Sequence, residues 1–303
     1  MALIAGPTAS GKSAAAIALA KSLEKQGRKG VIINADSMQV YADIPIVSAA
    51  PDQDERSECD HRLYGAWDGA DACSAADWAA RAKVEIAAVH ADHAVPILVG
   101  GTGMYIKVLI EGIAPIPDID SEVRAVVRAM DTPAAYAALQ VEDPLRAAEL
   151  EPGDSQRISR ALEVKRSTGV TLADWQLAKT GGIGEEVSLH AAVLMPPRQW
   201  LYERCDARFA QMLDQGAVEE VEALLARNLP PTLPVMRAIG VPEIEAFIQG
   251  DLSKDEAILA AAQSTRQYAK RQFTWLRNQC PEAWSRIESQ NIEITDHFAS
   301  LLQ

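Results

Sequence analysis

Ala2-Leu3-Ile4-Ala5 runs directly into Gly6-Pro7-Thr8-Ala9-Ser10-Gly11-Lys12-Ser13. A short apolar strand, a glycine-spaced turn and a Gly-Lys-Ser start to a helix form the phosphate-loop pattern in its required setting. Gly6 and Gly11 let the backbone turn so that its N–H groups point at anionic oxygens. Lys12 adds a cation, and Ser13 offers a hydroxyl to Mg²⁺. The helix that follows brings its positive end to the same place. A chance glycine-rich turn would not explain why pattern, strand and helix coincide. The motif calls for a di- or triphosphate without requiring a nucleotide.

Outward from this turn, the spacing predicts a helix from Lys12 to about Gln26, with Ala16, Ile17, Ala20 and Leu23 on one face. Val31-Ile32-Ile33 and Val95-Pro96-Ile97-Leu98-Val99 read as fully buried parallel strands. A helix over Ala75–Ala91, capped by Ser74, separates them. Another begins at Met104. The alternation implies a parallel sheet with helices on both faces. Pro115-Ile116-Pro117-Asp118 and Gly181-Gly182-Ile183-Gly184 then bracket a stretch with helical periods and no strand. Ser188–Met195 reads as a strand rejoining the sheet, and Arg198–Leu276 as long helices. The expected organisation is an α/β phosphate-loop core over 1–117 and 186–303, with an all-helical lobe inserted at 118–185.

The 303 residues, 48% of them hydrophobic, suffice for a full core. A net charge of −13 excludes a generally basic nucleic-acid binder, so any such partner needs a local basic surface. The four cysteines are dispersed, which suits a reducing compartment and neither a disulfide framework nor a zinc site. No apolar run approaches the roughly 18 residues that span a bilayer. A cytoplasmic monomer without a membrane partner is the expectation.

Ligands of open α/β sheets sit beyond the carboxyl ends of the strands. Asp36 follows the second strand and suits a general base, a water-mediated Mg²⁺ ligand or a turn cap. Ser37, Met38 and Gln39 adjoin it, and Ser37 and Gln39 suit reading a polar base edge. Thr102, in Gly100-Gly101-Thr102-Gly103, can position one ligand atom. The third strand does not end in Asp, and no Asn-Lys-x-Asp occurs, which weighs against ATPases and GTPases. His90 and His93 lack a third ligand and read as a solvated helix end. Glu219, Glu220 and Glu222 read as a solvated helix face. Arg204 and Arg208, four apart on one helix, reach a pyrophosphate or pair with Glu203 and Asp206. Gln156-Arg157-Ile158-Ser159-Arg160 and Arg266-Gln267-Tyr268-Ala269-Lys270-Arg271-Gln272 supply positive charge, the latter beside Trp275. Such stretches suit phosphate contact and base stacking.

Together these blocks, with Asn34–Tyr41, Ser74–Asp77 and Met236-Arg237-Ala238-Ile239-Gly240, resemble the tRNA dimethylallyltransferases over nearly the whole chain. The resemblance implies transfer of a dimethylallyl group from its diphosphate to N6 of adenosine 37, beside the tRNA anticodon. It implies Asp36 as general base, with Thr102 and Lys12 also catalytic. Gly6–Ser13 and Arg208 would hold the diphosphate, with Mg²⁺ on Ser13. Asp36, Ser37, Met38, Gln39, Thr102, Arg124, Gln156, Arg157, Ile158, Ser159, Arg160, Arg266, Lys270 and Arg271 would contact the anticodon stem-loop. Three departures stand out. Ser13 replaces the family's usual Thr, the usual Arg-Gly-Met-Asp-Ile-Gly-Thr-Ala-Lys reads Ala42-Asp43-Ile44-Pro45-Ile46-Val47-Ser48-Ala49-Ala50, and the usual His-His-Leu reads Asp60-His61-Arg62-Leu63. A small-molecule kinase, an AMP-prenylating enzyme and a non-catalytic RNA-binding module are the competing readings. The first two leave the two basic stretches unexplained. The third leaves unexplained why Lys12, Asp36 and Thr102 are all present.

Overall fold

The computed structural model describes residues 1–302. Six parallel strands form one sheet: β1 Ala2–Ala5, β2 Gly30–Asn34, β3 Asp60–Arg62, β4 Val95–Gly100, β5 His190–Leu194 and β6 Ser285–Ile287. The order across it is β3-β2-β4-β1-β5-β6. The inner strands β1, β2 and β4 are buried throughout, as continuous apolar runs covered on both faces must be.

Alternation decides which helix covers which face. Ala2, Ile4, Ile32, Ile97, Val99, Ala192 and Leu194 share one apolar cluster with the helix Lys12–Glu24 and with Ile294, Phe298 and Leu301. The intervening Leu3, Ile33, Leu98 and Val193 turn to the opposite face. There the helix Ala75–Ala91 packs on β2 and β4. Its Ser74 cap closes a reciprocal box with Asp77, and its buried Trp78 donates to Asn34 O at 2.9 Å. Trp78 also stacks on Tyr105 at 4.5 Å between ring centres.

The apolar strands and the helix over 75–91 stand where the sequence places them, with β5 trimmed to His190–Leu194 and the first helix ending at Glu24. Two edge strands were not anticipated. Asp-His-Arg in β3 and Ser-Arg-Ile in β6 carry no apolar run, because a three-residue edge strand needs no inward pair of faces.

The chain divides into two compact units, Met1–Leu109 with Gly184–Gln303, and Ile110–Ile183. The second unit is helical with a single bridge, Ile113 to Thr180. Its core gathers Val127, Ala135, Leu139, Ala147, Leu150, Ile158, Ala161 and Leu162. This corrects one expectation. Ile158 is wholly buried and packs inward, so it cannot touch RNA. On the same helix, Ser155–Thr168, the neighbours Gln156, Arg157 and Arg160 are exposed. Arg157 pairs with Asp154 at 3.0 Å and Arg160 lies 3.8 Å from Glu163.

Truncating a buried isoleucine costs about 2–5 kcal/mol, whereas a surface arginine contributes within about 0.5 kcal/mol. Urea unfolding should therefore separate Ile158→Ala, strongly destabilised, from Arg157→Ala, nearly unchanged. Equal stability of the two variants would contradict the inward placement of Ile158.

Candidate active site

Three loops leave the carboxyl ends of β1, β2 and β4 and are laced together by their own backbones. Gly6 N–H donates to Gly100 O at 3.2 Å, Ala35 N–H to Val99 O at 2.7 Å, and Thr102 N–H to Ala35 O at 3.3 Å. Such close approach leaves no room for side chains. A Cβ on Gly100 would lie 2.1 Å from Ala35 O, and one on Gly103 would lie 2.3 Å from the Trp275 ring. The glycines of Gly-Gly-Thr-Gly thus serve packing between loops.

Gln272, on the long helix Lys254–Gln279, ties two of these loops. Its Oε1 accepts from Thr8 N–H at 2.7 Å and its Nε2 donates to Gly101 O at 3.0 Å, with the side chain buried. Thr8 N–H is therefore turned to Gln272 and away from any anion. The N–H groups of Gly11, Lys12 and Ser13 open their helix without intrahelical acceptors and remain for a ligand. Gly11 (φ 87°) and Ala9 (φ 62°) both take the left-handed conformation that shapes the cradle. The Ala9 side chain packs on Leu201, Cys205 and Ala269, so it offers only backbone to a ligand. Ser10 Oγ is buried beneath the loop without a partner.

Lys12 is buried, its Nζ 3.4 Å from Pro7 O. Burial lowers its pKa, opposed by the Asp36 charge and reinforced by Arg208. Burial also lowers that of Arg208, again opposed by Asp36. Arg208 reaches Thr8 Oγ1 and Ala49 O, each at 3.5 Å. Arg204, offered by the sequence as a second pyrophosphate contact, instead donates to Ala9 O at 2.9 Å and lies over the Trp200 ring. Asp206, its suggested partner, is paired with Arg266.

Asp36 is 9% exposed. Its Oδ1 accepts from Met38 N–H at 3.0 Å, and Asn34 fixes its backbone from both sides. Thr102 Oγ1 accepts from Ser37 N–H at 3.0 Å and lies 3.3 Å from Ser37 Oγ. The Tyr268 hydroxyl joins both side chains. Burial and the nearby Asp36 charge push that phenol up to about 12, so it stays protonated. Gln39 departs from expectation. Its Nε2 donates to Ser48 O at 3.1 Å and Ala49 O at 2.7 Å, so these donors support the main chain and not a base edge.

Two adjoining cavities meet at Asp36. One, about 540 Å³, is lined by Thr8–Ser13, Asp36, Gln39, Glu55 and Arg208 among others. The other, about 270 Å³, is lined by Asp36, Ser37, Met38, Arg208, Tyr268 and Arg271, with an apolar side of Val47, Phe209, Met212 and Ile239. Thr8, Asp36, Ser48, Ala49, Arg208 and Met212 belong to both. Gly6 and Pro7 shape the loop without lining either cavity, and Arg266 and Lys270 lie outside them. Arg237, Phe209 and Met212 line the smaller cavity and escaped the sequence reading. Only the block Met236–Gly240 signalled that stretch, where Gly240 (φ 103°) allows Val47 and Phe209 to approach.

Residues 39–279 match the IPP transferase family model. The chain belongs to the IPP transferase family. Members of this family are prenyl-transferring enzymes, and so is this chain. A tRNA dimethylallyltransferase of Novosphingobium aromaticivorans is 60% identical over 278 residues, covering 92% of this chain and 99% of its own. Its counterpart in Erythrobacter litoralis is 56% identical over 303 residues, covering 100% and 96%. A eukaryotic dimethylallyltransferase caught acting on tRNA superposes with a TM-score of 0.77 at 27% identity, covering 91% of this chain and 69% of that one. The Bacillus halodurans tRNA isopentenylpyrophosphate transferase gives 0.69 at 29% identity, over 99% and 93%. The loop Gly6–Ser13 precedes the family match and is covered by the Erythrobacter relative.

Replacing Gln272 by Leu leaves Thr8 N–H and Gly101 C=O buried and unpaired, at about 1–3 kcal/mol each. Urea unfolding of Gln272→Leu should show a loss of that order, and calorimetric titration with inorganic pyrophosphate should show weaker binding. Unchanged stability and affinity would remove Gln272 from the framework of the site.

Proposed function

We propose that this chain transfers the dimethylallyl group of dimethylallyl diphosphate to N6 of adenosine 37 in tRNA, releasing pyrophosphate. The observation that carries the reading is the position of Asp36 at the junction of two cavities, one lined by the phosphate loop with Lys12 and Arg208, the other by Tyr268, Arg271 and an apolar side. The diphosphate suits the larger cavity. Lys12, Arg208 and the free N–H groups of the loop offset the charge that grows on it as its bond to C1 breaks. The flipped adenine suits the smaller cavity, beside Ser37, Met38 and Tyr268, at an unstacking cost of a few kcal/mol. As N6 bonds to C1, Asp36 takes the N6 proton. Thr102, fixed by Ser37 and Tyr268, holds that wall of the site in place.

Mg²⁺ suits the same cavity. Ser13 and Asp36 both line it, and no group of three acidic, His or Cys ligands occurs among the described residues. That sparse set of oxygen donors fits an ion bound chiefly by substrate phosphates and water. Ser13 would hold it, and when bound it supplies charge neutralisation for the leaving group. Arg124, Gln156, Arg157, Ser159 and Arg160 of the helical unit, with Arg266, Lys270 and Arg271 of the long helix, are the proposed contacts for the anticodon stem. The protein would act as a cytoplasmic monomer. No helix among the described residues is long and apolar enough to cross a membrane.

One incubation tests the reading. With Mg²⁺ and labelled dimethylallyl diphosphate, label should enter tRNA and not AMP, and ATP should phosphorylate no small acceptor. Label in AMP, or phosphate transfer from ATP, would overturn it. Asp36→Asn should lower the single-turnover rate by about 10²- to 10⁴-fold while tRNA still binds. A normal rate would show that Asp36 is not the base. Arg160→Ala and Lys270→Ala should each lower the salt dependence of tRNA binding, with the slope falling by about one unit per lost phosphate contact. Unchanged slopes would place the RNA surface elsewhere.

A further inference from the structure

The segment Asp43–Ala50, which departs from the family pattern, forms the wall shared by the two cavities. Ser48 and Ala49 face both, Val47 the smaller, and Pro45, Ile46 and Ala50 the larger. It is a chain of tight turns, with Ala49 in the left-handed conformation at φ 52°. Such a backbone does not hold its shape unaided. Gln39 holds it from inside through Ser48 O and Ala49 O.

From the other side it is held by Glu220, on the helix Ala217–Ala226. Oε2 accepts from Ile46 N–H and Oε1 from Val47 N–H, both at 2.8 Å. The expectation of a solvated acidic face is thus corrected at Glu220, which is half-buried; Glu219 and Glu222 are exposed. Burial raises its pKa, and the two N–H donors oppose the rise. The ionised carboxylate offers each N–H its own oxygen and makes the stronger, charge-assisted bonds. Arg227, on the residue after that helix, pairs with Asp43 and Asp68, anchoring the start of the wall.

We propose that Glu220 is a positioning residue that keeps water from the allylic carbon by fixing the wall between the two cavities. The inference rests on the prenyl-transfer reading above. With the wall loose, water competes with N6. Its oxygen bonds to C1 as the C1–O bond to the diphosphate breaks, and its proton passes to Asp36 or solvent. The products are dimethylallyl alcohol and pyrophosphate.

The readout is pyrophosphate released per dimethylallyl group incorporated, measured with tRNA and labelled dimethylallyl diphosphate, together with the alcohol formed. The wild-type chain and Glu219→Gln should both give a ratio near one. Glu220→Gln presents one acceptor and sets an amide N–H against the second donor. Its excess pyrophosphate and alcohol should rise about fivefold or more. Glu220→Asp keeps the charge but falls short by one methylene, and should show a smaller rise; it carries the test if the Gln variant does not fold. Partial unfolding cancels from the ratio, because both quantities come from the same folded molecules. A slower Glu220→Gln enzyme with the wild-type ratio would overturn the proposal and leave Glu220 purely structural. A wild-type chain that labels no tRNA would instead overturn the prenyl-transfer reading itself.

Discussion

The site depends on hydrogen bonds between backbones that cannot be exchanged for water. Gly6 to Gly100, Ala35 to Val99 and Thr102 to Ala35 tie the ends of β1, β2 and β4 into one platform. Gln272 adds a fourth tie from a helix more than 160 residues away in sequence. In a buried setting each broken pair leaves polar groups unsatisfied, so the loops hold one arrangement. That rigidity fixes the separation between the phosphate loop and the carboxylate of Asp36.

Electrostatics then divides the work. Lys12 and Arg208 converge on a region where Asp36 is the nearest carboxylate, and burial depresses both cations. On the proposed reading, a polyanion in the larger cavity relieves that penalty. Asp36, already hydrogen-bonded through Oδ1 to Met38 N–H, keeps acceptor capacity for a proton. The two cations come from the end of the phosphate loop and from the helix Arg198–Asp214, and the carboxylate from the turn after β2.

The fold was legible where burial is two-sided. Continuous apolar runs marked β1, β2, β4 and β5, and a cap residue marked the helix over 75–91. Edge strands β3 and β6 carry no such signal, because their pairing is set by neighbours and not by their own side chains. Site residues followed the same rule. Thr8–Ser13, Asp36 and Arg208 line the cavities, a placement that local spacing signals through the glycine-spaced turn, the end of β2 and one helix face. The roles of Gln39, Glu220 and Gln272 are not legible in the sequence because their partners are main-chain groups, near in the chain for Gln39 and far from it for the other two. Glu220 lies 174 residues from Ile46, and nothing in an acidic run distinguishes a carboxylate facing water from one facing two N–H groups. Ile158 sits within a basic stretch that helical periodicity breaks at that very residue, turning it inward.

This distinction also bears on Ala42–Ala50, whose wall is held through its backbone. Glu220 holds Ile46 and Val47 by N–H, and Gln39 holds Ser48 and Ala49 by C=O; none of these bonds reads a side chain. Residues can therefore change along the segment as long as its backbone path and the two clamping residues stay. The constraint on side chains falls where they pack, at the buried Ile44 and at Val47, which a Cβ on Gly240 would approach to 2.9 Å.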